Sequence, residues 1–153
     1  MESNRFVYVT YIRTTPEKLW EALLKPEFTR QYWFGVTLVS DWKKGAPWKM
    51  VFADGTSSEG GEIVEIEPEK RLVMRWRSER TPELKAEGYS QCTMEIEQVP
   101  GSVKLTVLHE IDTPKSKLLE SVSGGWPKVL SNLKTFLESG EPLEGVKGCQ
   151  SAA

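Results

Sequence analysis

Between Val36 and Asp112 the apolar side chains recur at every second position, in six short runs with no helical stretch between them. The runs cover 36–42, 46–53, 59–67, 70–78, 88–98 and 102–112. Turn-forming residues part them: Lys44-Gly45, Asp54-Gly55, Glu67-Pro68-Glu69-Lys70, Thr81-Pro82 and Pro100-Gly101. A period of two sends alternate side chains to opposite faces of a strand. Successive strands without crossover helices pair antiparallel. A further strand is predicted over 4–13, NRFVYVTYIR, which is rich in β-branched and aromatic residues. A sheet of this kind twists, and its apolar concave face has to be covered.

The cover lies past Pro114, where the period returns to 3.6. Val122, Trp126, Val129, Leu130, Leu133, Phe136 and Leu137 form one apolar stripe, the one stretch long and apolar enough for the task. Gly124, Gly125 and Pro127 interrupt its start, so a break is expected there, with the main helix running from about 125 to 138 and ending at Gly140. Two shorter helices follow the first strand. Thr15 is a good N-cap and Pro16 fits the first helical position. Leu19, Trp20, Leu23 and Leu24 then share a face, and Pro26 stops that helix and begins a second, from Glu27 to about Trp33. The predicted class is α+β: a curved antiparallel sheet of about seven strands gripping a long C-terminal helix. Residues 1–140 read as one domain, 141–153 as a frayed tail, and 79–88 as a polar loop beside the cavity mouth.

Composition narrows the function. The 153 residues suit one domain with a real core, and 20 basic against 22 acidic residues give a net charge of -2. No face gathers Lys and Arg, so a nucleic-acid partner is not expected. The N-terminus lacks a signal-peptide pattern, and no apolar run approaches the roughly 18 residues of a membrane span. Cys92 and Cys149 make no disulfide framework, so the chain reads as cytoplasmic. With a single histidine there is no zinc spacing, and neither metal nor cofactor is expected. His109 and Asp112 fall on opposite faces of one strand, which rules them out as two members of a serine triad. No G-x-S-x-G elbow, phosphate loop or dinucleotide fingerprint occurs.

Four segments carry a resemblance: TPEKLWEALLKPEFTRQYWFG (15–35), GGEIVEIEPEKRLVMRW (60–76), KLTVLHEID (104–112) and GGWPKVLSNLKTFLE (124–138). Together they strongly resemble the START-like helix-grip superfamily, which includes lipid-transfer domains, the birch-pollen allergen and aromatase/cyclase proteins. More closely, the chain looks like the bacterial branch named after the activator of the ninety-kilodalton heat-shock ATPase. The resemblance implies a seven-stranded sheet gripping the last helix, with a pocket between them. Relatives include ligand carriers, cyclases, hydrolases and co-chaperones, so the fold alone assigns no activity. The co-chaperone behind the branch's name works beside a second domain, for which this chain has no room; that counts against heat-shock activation here.

Six tryptophans are unusual, because each large ring needs a core or a cavity wall. Trp76 shares a strand face with Leu72 and Met74, and Trp48 with Met50 and Phe52. These rings are either plain core or the wall of a pocket, which flat rigid rings build at low entropic cost. Tyr32-Trp33-Phe34 should stand at the pocket entrance, with one ring at the rim. His109 is in phase with Val103, Leu105, Val107 and Ile111 and should face inward, either as a satisfied wall residue or as a polar handle or general base. In the strand over 59–67, Glu62 enters the cavity if Val64 and Ile66 face inward; otherwise it is solvated. The candidate ligand-binding residues are therefore Trp33, Trp48, Met50, Trp76, His109, Trp126 and Leu130, and no catalytic residue is assigned.

The expected function is binding of a small, largely apolar ligand, on the order of 300–1,000 Å³ in volume, between sheet and helix. The alternatives are a cyclase- or hydrolase-like enzyme with His109 or Glu62 as acid or base, and a protein-interaction module of co-chaperone type. The partners expected are one small hydrophobic molecule and, at most, a weakly associating second copy of the chain.

Overall fold

The computed structural model describes residues 4–143. β1 (Arg5–Ile12) leads into α1 (Pro16–Leu24), where the Thr15 hydroxyl accepts a bond from the Lys18 amide at 3.2 Å and Pro16 opens the helix. Lys25 is extended, because a residue before proline is kept out of the helical region, and α2 (Pro26–Tyr32) starts afresh. Six strands follow in a meander: β2 (Thr37–Ser40), β3 (Pro47–Val51), β4 (Ser57–Glu67), β5 (Arg71–Ser78), β6 (Ser90–Val99) and β7 (Ser102–Glu110). They form one antiparallel seven-stranded sheet in the order β1-β7-β6-β5-β4-β3-β2. β1 pairs with β7, setting Phe6 opposite His109 and Tyr8 opposite Val107. The alternation anticipated for β7 holds: Val103, Leu105, Val107 and His109 are all buried on the inner face.

The stretch 79–88 is more ordered than a polar loop. It holds the short exposed helix α3 (Pro82–Lys85), and Glu87 beyond it reaches the last helix. That helix, α4 (Lys117–Ser139), also departs from expectation, since it starts about two turns early and runs through Gly124, Gly125 and Pro127 without a break. Its N-terminus is capped twice. The Ser116 side chain accepts from the Leu119 amide at 3.0 Å, and the Glu87 carboxylate accepts from the Lys117 amide at 2.8 Å and the Ser116 hydroxyl at 2.6 Å. An interior proline costs about 3 kcal/mol and each glycine about 1. Burial of Leu118, Val122 and Trp126, at roughly 2 kcal/mol each, offsets that cost.

Two β-bulges bend the sheet. Between β3 and β4, Met50 pairs with Glu59 and Val51 with Ser57, which leaves Ser58 as the extra residue; Ser58 and Glu59 are both buried. Between β4 and β5 the register shifts again between Ile63 and Glu65. Ile63 takes the inner face, and Glu62 and Glu65 are exposed, so Glu62 does not enter the interior. Gly61 permits a close approach. A Cβ there would lie 1.9 Å from the Arg75 carbonyl oxygen, and in its absence the Trp48 indole reaches across to donate to that oxygen at 2.8 Å. After Gly140, the Leu143 amide donates to the Asn132 side chain. Residues 144–153, with Cys149 and most of the expected frayed tail, lie outside the described residues.

Candidate functional site

The inner face of the sheet meets α4 along an aromatic seam. Trp33 closes α2, Trp76 stands on β5, and Trp126 descends from α4. The Trp33 and Trp126 rings are 5.5 Å apart and the Trp76 and Trp126 rings 5.7 Å, while Trp48 packs behind Trp76 at 4.9 Å. Between them, over Gly125, lies a half-open cavity also bounded by Met50, Val122 and Val129. Its volume is about 20 Å³. That is room for roughly one water, far below the 300–1,000 Å³ anticipated. The indoles themselves occupy the space a hollow would have taken.

Of the seven candidate residues, Trp33, Met50, Trp76 and Trp126 line this cavity. Trp48, His109 and Leu130 are buried without lining it. Val122 and Val129 were not singled out, although they sit at i−4 and i+3 from Trp126 on the stripe already recognised. Gly125, where local propensity predicts a break in the helix, borders the cavity.

His109 is fully buried and fully bonded. The Trp126 indole N–H donates to its Nδ1 at 3.1 Å, so that nitrogen is an acceptor and the proton of the neutral ring sits on Nε2. Nε2 is 2.7 Å from the Ser90 hydroxyl oxygen, and Ser90 passes its own proton on to the Trp76 carbonyl at 3.0 Å. The relay therefore runs Trp126, His109, Ser90, Trp76 carbonyl, and ties α4 to three strands. Burial pulls the imidazole pKa down to about 3. With both nitrogens engaged, no lone pair is left for a general base.

The buried acid is Glu59, not Glu62. Glu59 is 3% exposed, and burial pushes its carboxyl up to about 7 against the opposing pull of the Ser58 hydroxyl and the Trp76 indole. Oε1 accepts from Ser58 at 3.2 Å, whereas Oε2 has no hydrogen-bond partner. The Trp76 indole N–H stands close enough to the carboxylate to help hold its pKa down, but not in the geometry of a formed hydrogen bond. Burial, and secondarily the Glu59 charge, also raise the Cys92 thiol, which stays protonated. Glu59 is in phase with Gly61 and the buried Ile63, so alternation counted back from Ile63 reaches it, whereas Glu62 belongs to the opposite set.

Among the described residues no group of three His, Cys, Asp or Glu is placed to hold a metal ion, and no helix is long and apolar enough to cross a membrane. The arrangement is an apolar clamp with one unsatisfied acid at its back.

The fold recurs in solved structures. Protein MLL2253 from Mesorhizobium loti superposes with a TM-score of 0.74 at 21% identity, covering 87% of this chain and 96% of that one. DynU16, described as a putative protein in the dynemicin biosynthetic locus, gives 0.76 at 22% identity over 92% of this chain and 49% of its own. The Aha1 dimer from Colwellia psychrerythraea gives 0.70 at 17% identity over 89% and 97%. At these identities the likeness is one of fold. No curated protein matches the chain. The model of one family, however, matches residues 13–138, which take in α1, α2 and α3, β2 to β7 and nearly all of α4: the chain belongs to the Activator of Hsp90 ATPase homolog 1-like family.

Proposed function

We propose that the chain binds a small, flat, largely apolar molecule in the seam between α4 and the sheet. The observation that supports this reading is the hollow over Gly125, walled by Trp33, Trp76, Trp126, Met50, Val122 and Val129. At about 20 Å³ it is a starting point and not a finished pocket, so entry requires α4 to give way. Pro127 weakens the helix at that place, since it offers no amide to the carbonyl one turn before it. The ligand this suits has one or two fused rings. The buried free thiol of Cys92 suits a reducing compartment, and the reading places the binding in the cytoplasm.

Titration with naphthalene, followed by tryptophan fluorescence, tests the reading. About 10 heavy atoms at roughly 0.5 kcal/mol each give a Kd of a few hundred micromolar. Gly125→Leu fills the hollow and is expected to abolish the signal while the circular dichroism spectrum is kept. An absence of binding below about a millimolar defeats the proposal.

A second copy of the chain is the other partner proposed, because the edge strand β1 turns Val7, Val9 and Tyr11 outward at 53%, 44% and 51% exposure. The Colwellia relative, described as a dimer, supports the same reading. Sedimentation at high protein concentration is expected to show a weak dimer that Val9→Glu removes. A parent chain that stays monomeric throughout that range refutes it.

A further inference from the structure

We propose that Glu59 and Trp76 together form a polar anchor at the back of this site, which selects ligands carrying a single hydroxyl group. The inference rests on the binding reading above and adds the chemistry of the ligand. Two unsatisfied polar atoms stand side by side in the interior, an acceptor at Glu59 Oε2 and a donor at Trp76 Nε1. A buried polar group without a partner is costly, so two together mark a place where something is to be bonded. They adjoin the cavity through its own wall. Trp76 lines the cavity, and so does Met50, which pairs with Glu59 across β3 and β4. On this reading the unbranched Met50 side chain, fully buried in the absence of ligand, moves aside to open the way from the hollow to the carboxylate.

The two atoms ask for a group that donates and accepts at once. A hydroxyl gives its proton to Oε2 and takes the indole N–H on its oxygen. A bare hydrocarbon leaves both atoms unpaired. An ammonium satisfies the carboxylate and leaves the indole without an acceptor, and a carboxylate ligand meets the Glu59 charge. The sheet holds the two atoms in place: Glu59 is fixed by the Ser58 bulge and the Ser58 hydroxyl, and the Trp76 ring is held between Trp48 and Trp126.

Calorimetric titration of the full chain with 2-naphthol and with naphthalene, at pH 6 and pH 8, tests the anchor. The hydroxyl is expected to tighten binding about tenfold at pH 8, in line with one bond to a charged acceptor. The preference is expected to shrink at pH 6, where Glu59 is protonated. Glu59→Met removes the acceptor and leaves only the indole donor, so the preference should fall to a few-fold at most and lose its pH dependence. Glu59→Gln keeps an acceptor and should retain part of the preference without its pH dependence. If the parent binds both compounds equally, or the full tenfold preference with its pH dependence survives in Glu59→Met, the anchor is refuted while the cavity reading stands. If neither compound binds, the cavity reading itself falls and takes the anchor with it.

Discussion

Cutting the chain after Gly124 is expected to leave a polypeptide with no cooperative unfolding transition. The lost segment carries Trp126, Val129, Leu130, Leu133 and Phe136, none of them more than 9% exposed. At roughly 2 kcal/mol per buried side chain, about 10 kcal/mol of burial disappears, as much as the whole stability of an ordinary domain. The damage exceeds the area lost. Without the Trp126 indole, His109 keeps a buried acceptor with no donor. Without Asn132, the Tyr32 carbonyl loses the bond that ties α2 to α4 at 2.8 Å. Cutting after Gly140 instead removes the Leu143 bond to Asn132 and little else among the described residues, and should cost about 1 kcal/mol. Urea melts followed by far-ultraviolet circular dichroism distinguish the two. A sharp transition from the shorter chain would show that α4 is not what closes the sheet.

The arrangement behind that prediction was legible in the sequence because it depends on periods. The runs of two in β2 to β7 and the stripe of 3.6 in α4 each specify a face, and a concave sheet beside an unpaired apolar stripe leaves one way to bury both. His109 was placed inward by phase alone. What could not be read depends on contacts distant in sequence. Glu87 caps α4 from some 30 positions away, and this, with the burial of Leu118 and Val122, carries the helix through two glycines and a proline that local propensity marks as a break. The bulge at Ser58 buries that serine out of phase beside Glu59, and no alternation rule contains a bulge. The indole wall was anticipated, but the size of the hollow was not, because packing of the rings against one another is set by side-chain rotamers and not by spacing.

Replacing Glu59 by Gln is expected to stabilise the protein by roughly 3 kcal/mol at pH 8 and to change the shape of its stability profile. Two buried groups oppose each other in the parent. His109 titrates near 6.5 when unfolded and near 3 when folded, so unfolding takes up a proton in that window and stability falls as the pH drops through it. Glu59 titrates near 4.5 when unfolded and near 7 when folded, so the folded chain holds a proton that unfolding releases, and stability falls as the pH rises from about 4.5 to 7. Between about pH 4.5 and 6.5 the two slopes, each near 1.4 kcal/mol per pH unit, cancel and the parent is flat. Below that range the lowered carboxyls of Asp54, Glu79 and Glu138 add to the loss in parent and variant alike. In Glu59→Gln the new amide carries no charge at any pH and can still accept from Ser58, so only the histidine slope remains, and stability should climb steadily from about pH 4.5 to 6.5. Urea unfolding at pH 5, 6, 7 and 8 measures both profiles. A variant that parallels the parent, or is the weaker of the two at pH 8, would show that the Glu59 carboxylate is not held uncompensated inside the sheet.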